Sequence, residues 1–395
     1  MLLKRFFSFA LVMATATILC AAQMPDSVIT GAEQLNVYLP KLRNQKVAVV
    51  ANQTSIVGNE HLIDVLLHAS IDVKKIMTPE HGFRGVAEAG EEVASSVDKK
   101  TGLPVISLYG DHKKPTADDL SGIDVVVFDL QDVGVRFYTY SSTLQYVMEA
   151  CAEQKKKLIL LDRPNPNGYY VDGPVLEPAY KSFVGMNPIP VVYGLTLGEY
   201  AQMLNGEGWL KDKMQCNIEI IPVKGYTHST LYQLPVKPSP NLPNMTAVYL
   251  YPSLCFFEGT IVSIGRGTDY PFQIVGYPGF TEGPFEFTPH KNPEMKLAPL
   301  YENQKCHGFD LRDFGNYYIP VSKKLYLFWL KNIYDNYSQK DKFFNSYFDK
   351  LAGTDKLRKQ IIEGLNEDQI RQSWKKDLDA YKTIRKKYLL YPDFE

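Results

Sequence analysis

Apolar residues in the first half of the chain come in short runs separated by amphipathic stretches. Lys46-Val-Ala-Val-Val-Ala51, Val73 to Met77, Val105 to Leu108, Asp124 to Asp129, Lys157 to Asp162 and Asn217 to Val223 each have the length and β-branched content of a strand. The run 124–129 is apolar between its two aspartates, as expected of a strand covered on both faces. Between the runs, Glu60 to Ser70 places Leu62, Val65, Leu66 and Ala69 at helical spacing, and Ser142 to Lys156 does the same with Leu144, Val147, Met148 and Cys151. Thr196-Leu-Gly-Glu199 reads as a capping box that starts a helix near Leu197. Strand and helix alternate, which predicts an α/β domain built on a parallel sheet with helices on both faces.

The pattern changes after about residue 240. Pro235 to Pro243 is a rigid Pro/Asn loop, and short β-like pieces follow at Thr260 to Ile264 and Phe272 to Val275, between Gly/Pro turns. Ser322 to Tyr337 and Glu367 to Tyr388 are amphipathic; the second puts Ile370, Trp374, Leu378, Tyr381 and Ile384 on one side. This predicts a domain over 23–240 and a smaller α+β domain over 241–395. Ahead of both, Lys4 and Arg5 precede an apolar run, Phe6 to Leu19, shorter than the roughly 20 residues of a membrane span. Small residues follow at Cys20, Ala21 and Ala22, so residues 1–22 read as a secretory signal and the protein as periplasmic or secreted. Cys20 leaves a lipoprotein anchor as the alternative, although Leu19 stands where such sites usually carry Gly, Ala or Ser; membrane association is expected only with Cys20 acylated.

Composition narrows the function classes. With 43 basic and 44 acidic residues the formal net charge is -1, and 45% of residues are hydrophobic. Disorder is excluded, and nothing electrostatic favours nucleic acid or an anionic membrane as partner. The 26 tyrosines suit a protein that stacks rings on sugar faces, and suit a packed core equally well. Cys151, Cys216, Cys255 and Cys306 lie far apart without a CxxC, and buried thiols or export-permitted disulfides both fit. The chain has no GxGxxG after the first strand, no Walker A loop, no GxSxG and no HExxH. Its seven histidines are scattered, so neither a metal nor a cofactor is expected.

What stands out is polar chemistry at the ends of the predicted strands. The first ends at Asn52-Gln53-Thr54, the second at Pro79-Glu80-His81-Gly82-Phe83-Arg84-Gly85, the fourth at Asp129-Leu-Gln131-Asp132 leading to Arg136 and Tyr138, and the fifth at Asp162-Arg163-Pro164-Asn165. Ligands of open α/β sheets bind beyond the carboxyl ends of the strands. In a parallel sheet all four clusters converge on one rim. Glu80 follows a proline and precedes His81-Gly82, a placement that aims a side chain from a strand end. A glutamate shielded from water can protonate a leaving oxygen, as glycoside hydrolysis requires, with a second group on the opposite face of the sugar. Asp129, Asp132 and Asp162 are candidates for that second group; their alternative role is to cap loops and pair with Arg136 or Arg163. Arg84, Arg136 and Arg163 suit a substrate carboxylate. In the second half, Glu258-Gly-Thr260 and Gly265-Arg266-Gly267-Thr268 precede Tyr270 and Phe272, a tight turn bearing a guanidinium that is placed to close over the rim.

These segments together resemble the exo-β-N-acetylmuramidases, a family long catalogued as a domain of unknown function. The resemblance runs from about residue 28 to the end. It implies a Rossmann-like N-terminal domain without a nucleotide, a C-terminal α/β domain, and an active-site cleft between them. It implies release of N-acetylmuramic acid from the non-reducing end of peptidoglycan-derived oligosaccharides or muropeptides. It points to Glu80 as catalytic, with Tyr270 as a second catalytic residue. The polar residues of the strand ends and of the Gly-Arg-Gly-Thr segment, Asn52, His81, Arg84, Asp129, Gln131, Asp132, Arg136, Tyr138, Asp162, Arg163, Asn165, Glu258 and Arg266, are the expected substrate-binding residues. A non-catalytic muropeptide-binding protein and a metal-dependent hydrolase are the alternatives.

Overall fold

The structure, a computed structural model, describes residues 27–80, 82–83, 96–293, 295 and 297–395. Six strands form the parallel part of the main sheet: β1 (Lys46–Ala51), β2 (Asp72–Thr78), β3 (Pro104–Ser107), β4 (Val125–Asp129), β5 (Lys157–Leu161) and β6 (Ile218–Ile221). Their order is β3-β2-β1-β4-β5-β6, with the two-residue strand Ser96–Val97 antiparallel on the outer edge of β3. That is the strand order of the dinucleotide-binding fold, with its switch point between β1 and β4. The fold class expected from the sequence is the one observed.

Alternation along the central strands builds two cores. Ala48, Val50, Val126, Phe128, Leu158 and Leu160 face one side. Val47, Val49, Ala51, Val125, Val127, Ile159 and Leu161 face the other. Helices α1 (Leu35–Leu42) and α2 (Leu62–His68) cover the second face through Tyr38, Leu42, Leu62, Ile63 and Leu66. Helices α3 (Tyr140–Glu153) and α4 (Leu197–Gly206) contribute Leu144, Val147, Met148, Tyr200 and Leu204 to the first. The predicted capping box at α4 is present: Glu199 N donates to Thr196 Oγ1 (3.2 Å) and Thr196 N to Glu199 Oε2 (2.9 Å).

The second half contains α5 (Met245–Leu254) and a three-stranded antiparallel sheet of β7 (Ile274–Tyr277), β8 (Phe285–Phe287) and β9 (Cys306–Asp310), with β9 central. Short helices and two longer ones, α6 (Phe328–Asn336) and α7 (Glu367–Arg385), complete it. The two β-like pieces foreseen at 260–264 and 272–275 resolve into isolated bridges at Thr260 and Ser263 and the strand β7. The helix foreseen over 322–337 starts only at Phe328, because Lys323 takes a left-handed conformation (φ 50°) and Leu325 and Leu327 bury themselves in non-helical chain. Helix α5 was not foreseen: it contains Pro252, and Thr246 through Leu254 are all buried, so it has no polar face to betray its period. The first core continues through Val248, Leu250, Leu330, Trp374 and Tyr381, so the two halves share one apolar interior. Cys151, Cys216, Cys255 and Cys306 are buried free thiols. Among the described residues no helix is long and apolar enough to cross a membrane.

Candidate active site

Strand β2 delivers Glu80. The strand ends at Thr78, Pro79 follows, and Gly82 N turns back to Pro79 O (3.2 Å) with Gly82 at φ 75°, a conformation glycine adopts without cost. The start of α3 then holds Glu80 from two sides. Thr139 Oγ1 donates to Glu80 Oε2 (2.7 Å), and Tyr140 OH lies 3.4 Å from the Glu80 carbonyl. Asn52, at the end of β1, donates its Nδ2 to Tyr140 OH (2.6 Å). Asn52 in turn accepts from Thr54 N (2.9 Å) and Thr54 Oγ1 (2.6 Å), so its amide is fixed. Two strand ends and the start of α3 therefore meet at Glu80: Thr139 reaches its carboxylate, and Asn52 is linked to its main chain through Tyr140.

Glu80 opens on a cavity of about 430 Å³ between the two halves of the chain. Its walls include Tyr109, Phe137, Thr139 and Tyr140 from the first half. Ser239, Asn241, Tyr251, Glu258, Arg266, Phe272 and Tyr347 come from residue 239 onward. Glu258 and Arg266 form an ion pair, and Cys255 Sγ lies 3.5 Å from Glu258 Oε2. The Gly-Arg-Gly-Thr turn has the backbone its glycines suggest, with φ 78° at Gly265 and 80° at Gly267. Phe272 also has a positive φ, 56°, which is strained for an aromatic residue; its ring packs on Tyr251 (centroids 5.0 Å apart) with the Arg266 guanidinium 5.5 Å from its centroid. Burial, with the charges of Glu258 and Glu80 adding to it, pushes the Tyr347 phenol upward, so it stays a neutral O–H group. Burial does the same to Tyr138 and Tyr140.

Of the residues singled out in the sequence, Glu80, Tyr138, Glu258 and Arg266 line this cavity. His81 and Arg84 lie outside the described residues. The other polar residues of the strand ends are framework. Asp129 and Arg163 form a buried bidentate pair (2.5 and 2.9 Å), and Arg163 also donates to Ile56 O (2.9 Å). Together with Ser55 Oγ on Asp129 O (2.5 Å) and Thr54 Oγ1 on Gln131 N (3.1 Å), this pair stitches β1 to β4 across the switch point, where a dinucleotide fold holds its ligand. The alternative pairings, Asp132 with Arg136 and Asp162 with Arg163, do not form, because Arg136 is taken by backbone carbonyls and Arg163 by Asp129. Asp132 Oδ1 instead accepts from Tyr193 OH (2.5 Å) and Gly134 N (2.6 Å), and burial pushes this carboxyl up to about 7. Asp162 accepts from Gly198 N (2.9 Å), Thr196 Oγ1 (2.7 Å) and Tyr391 OH (2.6 Å), and burial raises it to about 6. Gln131 donates to Asp132 O and Pro164 O, and Asn165 to Leu195 O.

Arg136 is 1% exposed and gives its guanidinium to four carbonyls, those of Pro174, Ile189, Leu351 and Ala352 (2.7–2.9 Å). It has no route to a substrate carboxylate. Tyr270 does not line the cavity; its ring stacks under Arg312, whose guanidinium sits 4.0 Å from the centroid. Sequence reading missed Thr139, Tyr140, Asn241 and Tyr347. Thr139 and Tyr140 stand at the end of the polar segment that follows the fourth strand, where the sequence does not show that they support Glu80. Tyr347 comes from a stretch with no strand-end signal, and the high tyrosine count was the only hint. Among the described residues no group of three or more His, Cys, Asp or Glu is arranged to hold a metal.

Comparison with known proteins places this geometry in a family. The model of the N-terminal part of the exo-β-N-acetylmuramidase NamZ matches residues 47–246, and that of its C-terminal part matches 249–391. The peptidoglycan β-N-acetylmuramidase NamZ of Bacillus subtilis (strain 168) is 36% identical over 421 residues, covering 98% of this chain and 100% of the relative. A crystal structure of a DUF1343 family protein from Bacteroides fragilis NCTC 9343 superposes with a TM-score of 0.86 at 48% identity, over 93% of this chain and 99% of that one. A second from the same strain gives 0.80 at 30% identity, over 92% and 99%. The chain belongs to the exo-β-N-acetylmuramidase NamZ family.

Proposed function

We propose that this protein is an exo-acting glycosidase that releases N-acetylmuramic acid from the non-reducing end of peptidoglycan fragments, with Glu80 as the proton donor. The observation that carries the assignment is the Glu80 carboxyl, anchored by Thr139 and opening on a cavity walled by tyrosines. In the proposed step the Glu80 proton passes to the glycosidic oxygen as the C1–O bond breaks. Water then adds at C1 and gives up the proton that restores the acid. The phenols of Tyr140 and Tyr347 line the same cavity and stay neutral, so neither serves as the base. Arg266 is the described arginine on the cavity wall and the one we assign to the lactyl carboxylate of muramic acid, with Glu258 holding its guanidinium in place.

The test is hydrolysis of a chromogenic N-acetylmuraminide and of short glycan fragments. Glu80→Gln keeps the shape and removes the proton, and kcat is expected to fall roughly 10²–10⁴-fold with an unchanged melting temperature. Mass spectrometry should find single N-acetylmuramic acid units as first products from fragments with a muramic acid end. Near-normal turnover by the variant, or internal cuts, would overturn the reading. We also assign residues 1–22 to an export signal, which brings the enzyme to cell-wall fragments; a mature N-terminus upstream of Cys20 would contradict this.

A further inference from the structure

The Pro/Asn loop at 235–243 is pinned to the rim of the main sheet. Pro238 O accepts from both Tyr138 OH (2.8 Å) and Gln53 Nε2 (3.0 Å), and Leu242 N closes the loop on Ser239 O (3.1 Å). These bonds present Ser239, Asn241 and Leu242 to the Glu80 cavity. Asn241 is only 7% exposed, yet neither atom of its side-chain amide hydrogen-bonds any described residue, and Nδ2 is shut off from solvent. A buried polar group without a partner is costly and uncommon. No hydrogen bond to a described residue holds the amide, so a turn about its Cβ–Cγ bond brings Nδ2 into the cavity, where a ligand completes the bonding.

The chemistry of the vacant positions says which ligand group fits. A carboxamide offers a donor and an acceptor side by side. A carboxylate, being acceptor-only, satisfies half of it. An acylamino group, with one N–H and one C=O, satisfies both. We propose that Asn241 is the specificity residue that pairs with the 2-acetamido group of the sugar, separately from the contact between Arg266 and the lactyl carboxylate. The inference rests on the glycosidase reading of the cavity. It adds that the 235–243 loop, not the sheet, reads the N-acetyl group of the substrate.

The experiment compares an N-acetylmuraminide with the corresponding muraminide bearing a free amine. Asn241→Ala is expected to lower kcat/KM roughly 10- to 100-fold on the N-acetyl substrate and to leave the free-amine substrate little changed, so that the preference collapses. Asn241→Asp keeps the size, loses the donor and adds a negative charge. It is expected to shift preference toward the ammonium-bearing sugar, a gain that a merely unfolded protein cannot show. Equal losses on both substrates, or none, overturn the proposal. Titration of N-acetylmuramic acid and muramic acid into wild type and Asn241→Ala, followed by NMR, reads the contact without turnover. If wild type binds the N-acetyl sugar through Asn241 but hydrolyses neither substrate, the glycosidase reading has failed and the contact stands. If it hydrolyses them with selectivity independent of Asn241, only the contact has failed.

Discussion

At the scale of single residues, the same side-chain types do opposite jobs depending on where the sheet leaves them. Arg136, Arg163 and Arg266 are indistinguishable as guanidinium groups near motifs. Arg136 is caged by carbonyls, Arg163 is locked to Asp129, and Arg266 alone of the three reaches the cavity. Its partner Glu258 leaves the guanidinium part-exposed and pre-oriented, as bidentate recognition of a carboxylate needs. Arg266→Lys keeps the charge and loses the fork. We expect kcat/KM to drop by about 10-fold or more on N-acetylmuraminides and far less on N-acetylglucosaminides, which lack the lactyl group. Steady-state kinetics on the pair of substrates checks it, and parallel losses would show that Arg266 does not read the carboxylate.

Elements are where the polar strand ends acquire their meaning. The segment between β4 and α3 runs 130–139 with every residue buried, and Asp132 is its internal hub through Tyr193 and Gly134. Its Oδ2 has no partner among the described residues, which agrees with a carboxyl pushed up to about 7 by burial. Because the folded-state pKa is raised above the ordinary 3.8, the folded protein holds a proton that the unfolded chain has released. Stability therefore falls as pH rises from about 4 to about 7 and levels off above. Asp162, raised to about 6, contributes in the same sense over a narrower window. Asp132→Asn cannot titrate, so its profile of unfolding free energy against pH should be flatter than wild type across this window, by on the order of 4 kcal/mol. Urea unfolding at a series of pH values measures this, and coincident slopes would mean that Asp132 does not carry the effect.

Over the whole molecule, the site exists only because two halves of the chain share one interior. Arg136 is the clearest joint: its Nη1 holds Pro174 and Ile189, and its Nη2 holds Leu351 and Ala352, immediately after the Tyr347 wall of the cavity. The C-terminal tail returns likewise to the first half. Tyr391 reaches Asp162 and Val223 N, Leu390 N reaches Glu199, and Pro392 O accepts from His228 N. Arg136→Met leaves four buried carbonyls without donors and is expected to cost about 3–5 kcal/mol. KM should be unchanged when assayed well below the melting transition. A large rise in KM with an unchanged melting temperature would return Arg136 to the substrate.

The sequence by itself determined the sheet. Residue pattern within six to fifteen positions was enough to place all six parallel strands within a residue or two, α3, the start of α4 and α7, because burial on both faces or on one stripe is written locally in hydrophobic spacing. It also singled out Glu80, since a strand end after a proline is a local feature. It could not show that Asn52, Asp129, Asp162 and Arg163 are spent on tying strand ends to the segments packed beside them, or that Tyr270 packs against Arg312. Pairing partners 34 to 229 residues apart are chosen by which strands lie adjacent and which loops meet. The tertiary structure alone assembled the cavity wall from Tyr140, Asn241, Glu258 and Tyr347. Those residues carry no shared local signal, and only the packing of the second half onto the rim brings them within reach of one carboxyl group.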